Sequence, residues 1–173
     1  MTTVTSLPAG YTLHEGYPAV PAYLHLRSTA GLSPHTSAQV SAALTGSWYG
    51  CYITHNPTNA DGEDLVVAMG RIVGDGGWYF HIADMAVLPD HQRKGLGDAV
   101  LKKLLERIRL CAPSEPDVAA DGKVLCASPA PYVSLLADAP GRKLYARNGF
   151  VYTSPASLGM MLPGEELYGS AME

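Results

Sequence analysis

Apolar residues recur along this chain with two different periods, and the places where one gives way to the other mark out its elements. Tyr11–His14 reads as a short edge strand ahead of the turn Gly16-Tyr17-Pro18. Val20, Tyr23, Leu24, Leu26 and Ala30 keep a rough helical spacing that ends near Gly31. A second helix is expected after Ser33-Pro34, with Ser33 as N-cap and Pro34 as its first residue, running through Val40, Ala43 and Leu44 to Gly46. Trp48–Thr54 and Leu65–Val73 read as strands, and the polar run His55–Asp64 between them as a loop. Gly74-Asp75-Gly76-Gly77 supplies the glycines a hairpin turn needs, and Trp78–Leu88 follows as a long strand. These three strands predict an antiparallel meander.

Beyond Pro89 the period lengthens. Val100, Leu101, Leu104, Leu105 and Ile108 form the stripe of an amphipathic helix, with Lys102, Lys103, Glu106, Arg107 and Arg109 on its solvated side. The Pro-rich stretch 112–130 reads as an inserted loop. Tyr132–Ala137 is an apolar strand and Gly141–Asn148 a short helix stopped by Asn148-Gly149. Phe150–Thr153 and Gly159–Leu162 are candidate final strands. The predicted class is α/β, and the whole chain, 1–173, is expected to be a single domain.

Composition narrows the function. The 173 residues suit one core, and the net charge of -4 offers no broad basic face for nucleic acid. Nothing approaches the apolar length of a membrane span, and Met1–Ser6 has no signal-peptide pattern. Cys51, Cys111 and Cys126 have no metal-ligand spacing and are expected to be buried free thiols in a cytoplasmic protein. The six histidines have no metal-like spacing either, so no metal is expected.

The segment that carries chemistry is Asp84-Met85-Ala86-Val87-Leu88-Pro89-Asp90-His91-Gln92-Arg93-Lys94-Gly95-Leu96-Gly97-Asp98. An apolar strand ends at a proline, crosses a polar loop with two glycines and enters a helix. The unpaired N–H groups of a first helical turn attract anions, and glycines there let a phosphate approach the backbone. Arg93 and Lys94 can add charge from the side. The Gly-Lys-Ser/Thr of a nucleotide-binding P-loop is missing, and Val100 stands where a dinucleotide fingerprint needs a third glycine.

Gln92-x-x-Gly95-x-Gly97 after a strand resembles the signature of the GNAT N-acetyltransferases. Tyr145-x-x-x-Gly149-Phe150 is similar to that family's C-terminal segment. The resemblance implies a mixed, mostly antiparallel sheet with splayed central strands and flanking helices. It implies acetyl-CoA as cosubstrate, its pantetheine arm against Met85, Ala86 and Val87, and its pyrophosphate held by Gln92, Arg93, Lys94, Gly95, Leu96, Gly97 and Asp98. The carboxylate of Asp98 suits a helix start but not a phosphate, so it is expected to point away. Tyr145 matches the family's general-acid position, beside the leaving thiolate.

A general base is also needed to free the acceptor amine. His81 is the first candidate, because it lies four residues before Met85, and plain strand alternation puts both on one face. Asp84 is the fallback, expected on the opposite side. A small primary amine is the favoured acceptor. A protein or peptide acetyltransferase and a catalytically silent CoA-binding domain are the alternatives, and a homodimer is left open.

Overall fold

The computed structural model describes residues 6–56, 64–127 and 130–163, so the N-terminal pentapeptide and most of the loop before Asp64 lie outside the described residues. The chain forms two compact units, Met1–Leu135 and Leu136–Glu173. The first begins with β1 (Tyr11–Glu15), α1 (Val20–Thr29), α2 (Ser37–Thr45), β2 (Tyr49–His55), β3 (Leu65–Gly74) and β4 (Tyr79–Val87). A 3₁₀ turn (Pro89–His91) leads into α3 (Leu96–Cys111), then β5 (Asp117–Val118), β6 (Val124–Cys126) and β7 (Tyr132–Leu135). The second unit contains α4 (Arg142–Arg147).

The main sheet has the order β1-β2-β3-β4-β7. Its first three pairings are antiparallel, β2–β3 and β3–β4 being the expected meander, and β4 pairs with β7 in parallel. The β3–β4 hairpin is tied by Asp75, whose Oδ1 accepts from the N–H of Gly77, Trp78 and Tyr79 at 2.8, 3.1 and 3.1 Å. Pairing between β4 and β7 ends at Ile82↔Leu135, while β4 continues to Val87. Among the described residues no strand pairs with Ala83–Val87 on that side, which is the expected splay.

Helix α3 buries Leu96, Ala99, Val100, Leu101, Leu104 and Ile108 over β2, β3 and β4. Fully burying a side chain of this size contributes roughly 1.5–3 kcal/mol. Gly70 makes the close approach possible: a Cβ there would sit 2.5 Å from Met85 Sδ and 2.9 Å from Val100 Cγ1. Helix α1 packs against β3 and β4 through buried Tyr23, Leu26 and Arg27.

Four expectations need correction. Helix α2 starts at Ser37, not at Pro34, because Thr36 takes the N-cap. Its Oγ1 accepts from Gln39 N–H at 3.2 Å, and Gln39 Oε1 accepts from Thr36 N–H at 2.9 Å. Ser33 is held outside the helix by Arg27, whose Nη2 donates to the Ser33 carbonyl at 2.8 Å. The 112–130 stretch is not simply a loop: β5 and β6 form an exposed antiparallel pair turned at Gly122, whose N–H reaches Ala119 O at 2.9 Å.

Only Cys51 is buried, and burial pushes its thiol up to about 12, whereas Cys111 and Cys126 are exposed. Neither Phe150–Thr153 nor Gly159–Leu162 is a strand. The backbone between them is spent on a turn, with Ser157 N–H on Thr153 O at 3.0 Å, and side chains 151–163 stay exposed.

Candidate active site

Strand β4 carries one residue more than its neighbour needs. Met69 pairs with Ala86 and Arg71 with Ala83, so two steps on β3 span three on β4. Asp84 and Met85 thus share the place opposite Gly70, a β-bulge, and Asp84 adopts a left-handed φ of 55°. Asp is among the few side chains that tolerate this region.

The bulge shifts the alternation. His81 lies across from Val73 and Ala83 across from Arg71, so His81 shares the Arg71 face. Met85 lies on the α3 face, its Sδ beside the place a Gly70 side chain would occupy. The expected common face of His81 and Met85 is therefore overturned. The expected opposition of His81 and Asp84 fails for the same reason, because Asp84 reaches Arg71 and α1.

Asp84 is the hub of that face. Tyr23 Oη donates to its Oδ2 at 2.5 Å, Arg71 Nε to the same oxygen at 2.6 Å, and Arg27 Nη1 to Oδ1. Arg71 Nη1 also donates to Ser47 Oγ at 2.9 Å. Burial works to raise the Asp84 carboxyl, but the Tyr23 and Arg71 hydrogen bonds and the two guanidinium charges hold it below its ordinary value. A carboxylate so engaged is a poor proton acceptor, and Asp84 acts instead as the clasp between α1 and the sheet. Of its partners, Arg27 carried a legible signal, a charge four residues after Tyr23 on the apolar stripe of α1.

His81 is half-buried, with Nδ1 at 3.0 Å from Ser134 Oγ of β7. Desolvation, then the charge of Arg71, lowers its pKa from the ordinary imidazole value and so favours the neutral ring.

After β4 the chain turns sharply. The Gln92 amide donates to Val87 O at 3.2 Å and closes the strand end. Arg93 and Gly95 both take left-handed φ, 60° and 82°, and Gly95 is the N-cap of α3. No side chain caps this helix start. A Cβ built on Gly95 meets nothing within 4 Å, so the space beside this helix start is open. The Leu96 side chain is buried, leaving only its backbone to face a ligand. Asp98 pairs with Lys102 at 2.7 Å, along the helix. The Lys94 ammonium turns back to Asp90 O of its own loop at 3.0 Å and to Tyr11 Oη of β1 at 3.2 Å. An uncapped helix start approached through two left-handed residues, Arg93 and Gly95, fits a pyrophosphate.

Tyr145 lies in the second unit, on α4. Its ring packs edge-on against Phe150 at 6.0 Å and against Gly141, where a Cβ would come within 2.9 Å of the ring. Burial, then the charge of Asp138, raises its pKa, so the hydroxyl keeps its proton at neutral pH. No group of three or more His, Cys, Asp or Glu side chains that could hold a metal occurs among the described residues. No described helix is long and apolar enough to cross a membrane.

These features agree with comparison to known proteins. The family model described as an acetyltransferase (GNAT) domain matches residues 50–152. The chain belongs to the GNAT acetyltransferase family. Among solved structures it is similar to a protein of unknown function from methicillin-resistant Staphylococcus aureus, described as a probable acetyltransferase. That likeness has 29% identity and a TM-score of 0.71, and covers 88% of this chain and 98% of that one.

Two more distant likenesses show the fold alone. The Escherichia coli ribosomal-protein-S18-alanine N-acetyltransferase has 19% identity and a TM-score of 0.53, over 80% and 76% of the two chains. The Arabidopsis thaliana glucosamine-6-phosphate N-acetyltransferase has 13% and 0.57, over 89% and 98%. No curated protein is matched at the sequence level.

Proposed function

We propose that this protein is an acetyl-CoA-dependent N-acetyltransferase whose acceptor is the primary amine of a small molecule. The observation that supports it most is the uncapped start of α3, set directly after a bulged strand whose outer edge, among the described residues, pairs with no strand from Ala83 to Val87. The amides of Arg93–Asp98 bind the pyrophosphate of the donor. The backbone of Met85, Ala86 and Val87 pairs with its pantetheine arm, in the manner of an added strand. With Met85 under α3 and Leu96 in the core, these residues contribute main-chain groups.

His81 takes a proton from the acceptor amine, directly or through one water, as its nitrogen attacks the thioester carbonyl carbon. Backbone N–H groups near Met85–Val87 stabilise the oxyanion. As the carbon–sulfur bond breaks, the Tyr145 hydroxyl gives its proton to the departing thiolate. The net charge of -4 suits a cationic small-molecule acceptor better than an acidic one. Two exposed free thiols suit a reducing, cytoplasmic setting. The matched segment 50–152 runs through both compact units, which supports reading 1–173 as one domain.

Thiol release from acetyl-CoA, measured against a panel of small amines, peptides and antibiotics, tests the proposal. Release with small amines is expected. Clear CoA binding without release with any acceptor would mark a silent CoA-binding domain, and release with peptides alone a protein acetyltransferase.

A further inference from the structure

We propose that Tyr11, on the edge strand β1, is a positioning residue for the pyrophosphate turn, acting through Lys94 and a neutral His91. The inference rests on the acetyl-CoA site assigned above and adds a residue from the far side of the sheet to it. Tyr11 lies 80 residues from His91 and 83 from Lys94, yet its hydroxyl meets both, at 2.8 Å from His91 Nδ1 and 3.2 Å from Lys94 Nζ. Lys94 also donates to Asp90 O at 3.0 Å. One phenol thus braces both ends of the segment His91–Lys94, inside which Arg93 holds its left-handed conformation.

The directions of these bonds follow from what each group can do. An ammonium only donates, so Lys94 gives a proton to the Tyr11 oxygen. The phenol proton then goes to His91 Nδ1, which accepts it only when that nitrogen is bare. Protonating His91 would instead bring two cations onto one phenolic oxygen. The surroundings favour the neutral ring: desolvation, then Lys94 and His55, lower the His91 pKa, against a smaller opposing effect of Asp90. His55 of β2 stands with its ring centroid 5.0 Å from that of His91 and 4.4 Å from that of Tyr11. The groups around His91 are thus Tyr11 from β1, His55 from β2, and Asp90 and Lys94 from its own loop.

Calorimetric titration of CoA into the parent, Tyr11→Phe, Lys94→Met and the double variant tests the brace, with ¹⁵N NMR of the histidine rings as a second readout. Tyr11→Phe is expected to weaken CoA binding about tenfold, the scale of one hydrogen bond to a charged group. The double variant is expected to bind no worse than the weaker single one, because both changes break the same brace. The His91 Nδ1 signal should be that of a bare, accepting nitrogen in the parent and shift in Tyr11→Phe. Unchanged affinity in Tyr11→Phe, additive losses, or a His91 signal indifferent to Tyr11 would each overturn the inference while leaving the CoA site standing. A parent protein that does not bind CoA would overturn both.

Discussion

Arg71 and Asp84 meet at 2.6 Å across the one place where β3 and β4 fall out of step. The extra residue of the bulge also fastens α1, since Tyr23 and Arg27 close on the same carboxylate.

Asp84→Asn is expected to destabilise the fold by about 3–5 kcal/mol, because it leaves the guanidinium of Arg27 buried without its anion. Asn tolerates a left-handed φ as Asp does, so the loss would report charge and not backbone strain. Chemical denaturation at pH 7 measures it, and a loss below about 1 kcal/mol would reduce the clasp to a surface contact.

The same clasp sets an acid limit. A carboxyl lowered on folding contributes stability that is complete above its unfolded pKa and is lost as pH falls through the lower folded one. Parent stability should therefore fall below about pH 4, the ordinary carboxyl range. Asp84→Asn should show a shallower fall, read from melting temperature against pH.

The clasp also marks what sequence could and could not show. The meander, α3 and the turn Gln92–Gly97 were legible because period, glycines and proline are local signals. The bulge was not, since plain alternation from His81 runs through Asp84 without a break, and only pairing against Gly70 exposes the extra residue. Thr36-x-x-Gln39 is a local capping-box signal and prevails over Ser33-Pro34. Tyr11 gave no local sign of its contacts, because its partners come from a turn eighty or more residues away.

Replacing Gly95 tests the anion site. Its φ of 82° makes any side chain costly, by roughly 1–2 kcal/mol, although nothing stands where a Cβ would go. In Gly95→Val the fold should survive that loss while the space before the α3 amides is filled. CoA at a hundred times its dissociation constant should stabilise the parent by about 2.7 kcal/mol in a thermal shift assay, and the variant by little. An equal shift in both would move the pyrophosphate elsewhere.

Removing the proposed base should leave a pH signature. His81 must be neutral to accept a proton, and burial, then the charge of Arg71, lowers its pKa, so the acid limb of kcat/KM in the parent should lie lower than an ordinary imidazole would set it. His81→Ala should lower turnover and recover partly at high pH, where free hydroxide and an unprotonated amine lessen the need for a base. A loss equal at every pH would indicate acceptor placement instead.

Tyr145→Phe deletes a hydroxyl and keeps the ring that packs on Phe150 and Gly141. Loss of a positioned acid costs about 10²–10⁴-fold in rate, and a thiolate leaves readily enough to favour the lower end. The expected outcome is a fall in kcat of about a hundredfold with little change in melting temperature or CoA affinity. Near-parental kcat would make Tyr145 a packing residue and pass the proton to water.

Strand β4 can be pictured as two rulers joined half a division out of phase at Asp84. Excising that one residue would bring them back into phase, with His81 and Ala83 still on one face and Met85 still beneath α3. The ladder to β3 would then run unbroken, while the left-handed step beside the free edge would vanish with the excised residue. Arg27 and Arg71 would lose their shared anion together. The residue that the sheet could discard is the one by which α1 recognises the sheet.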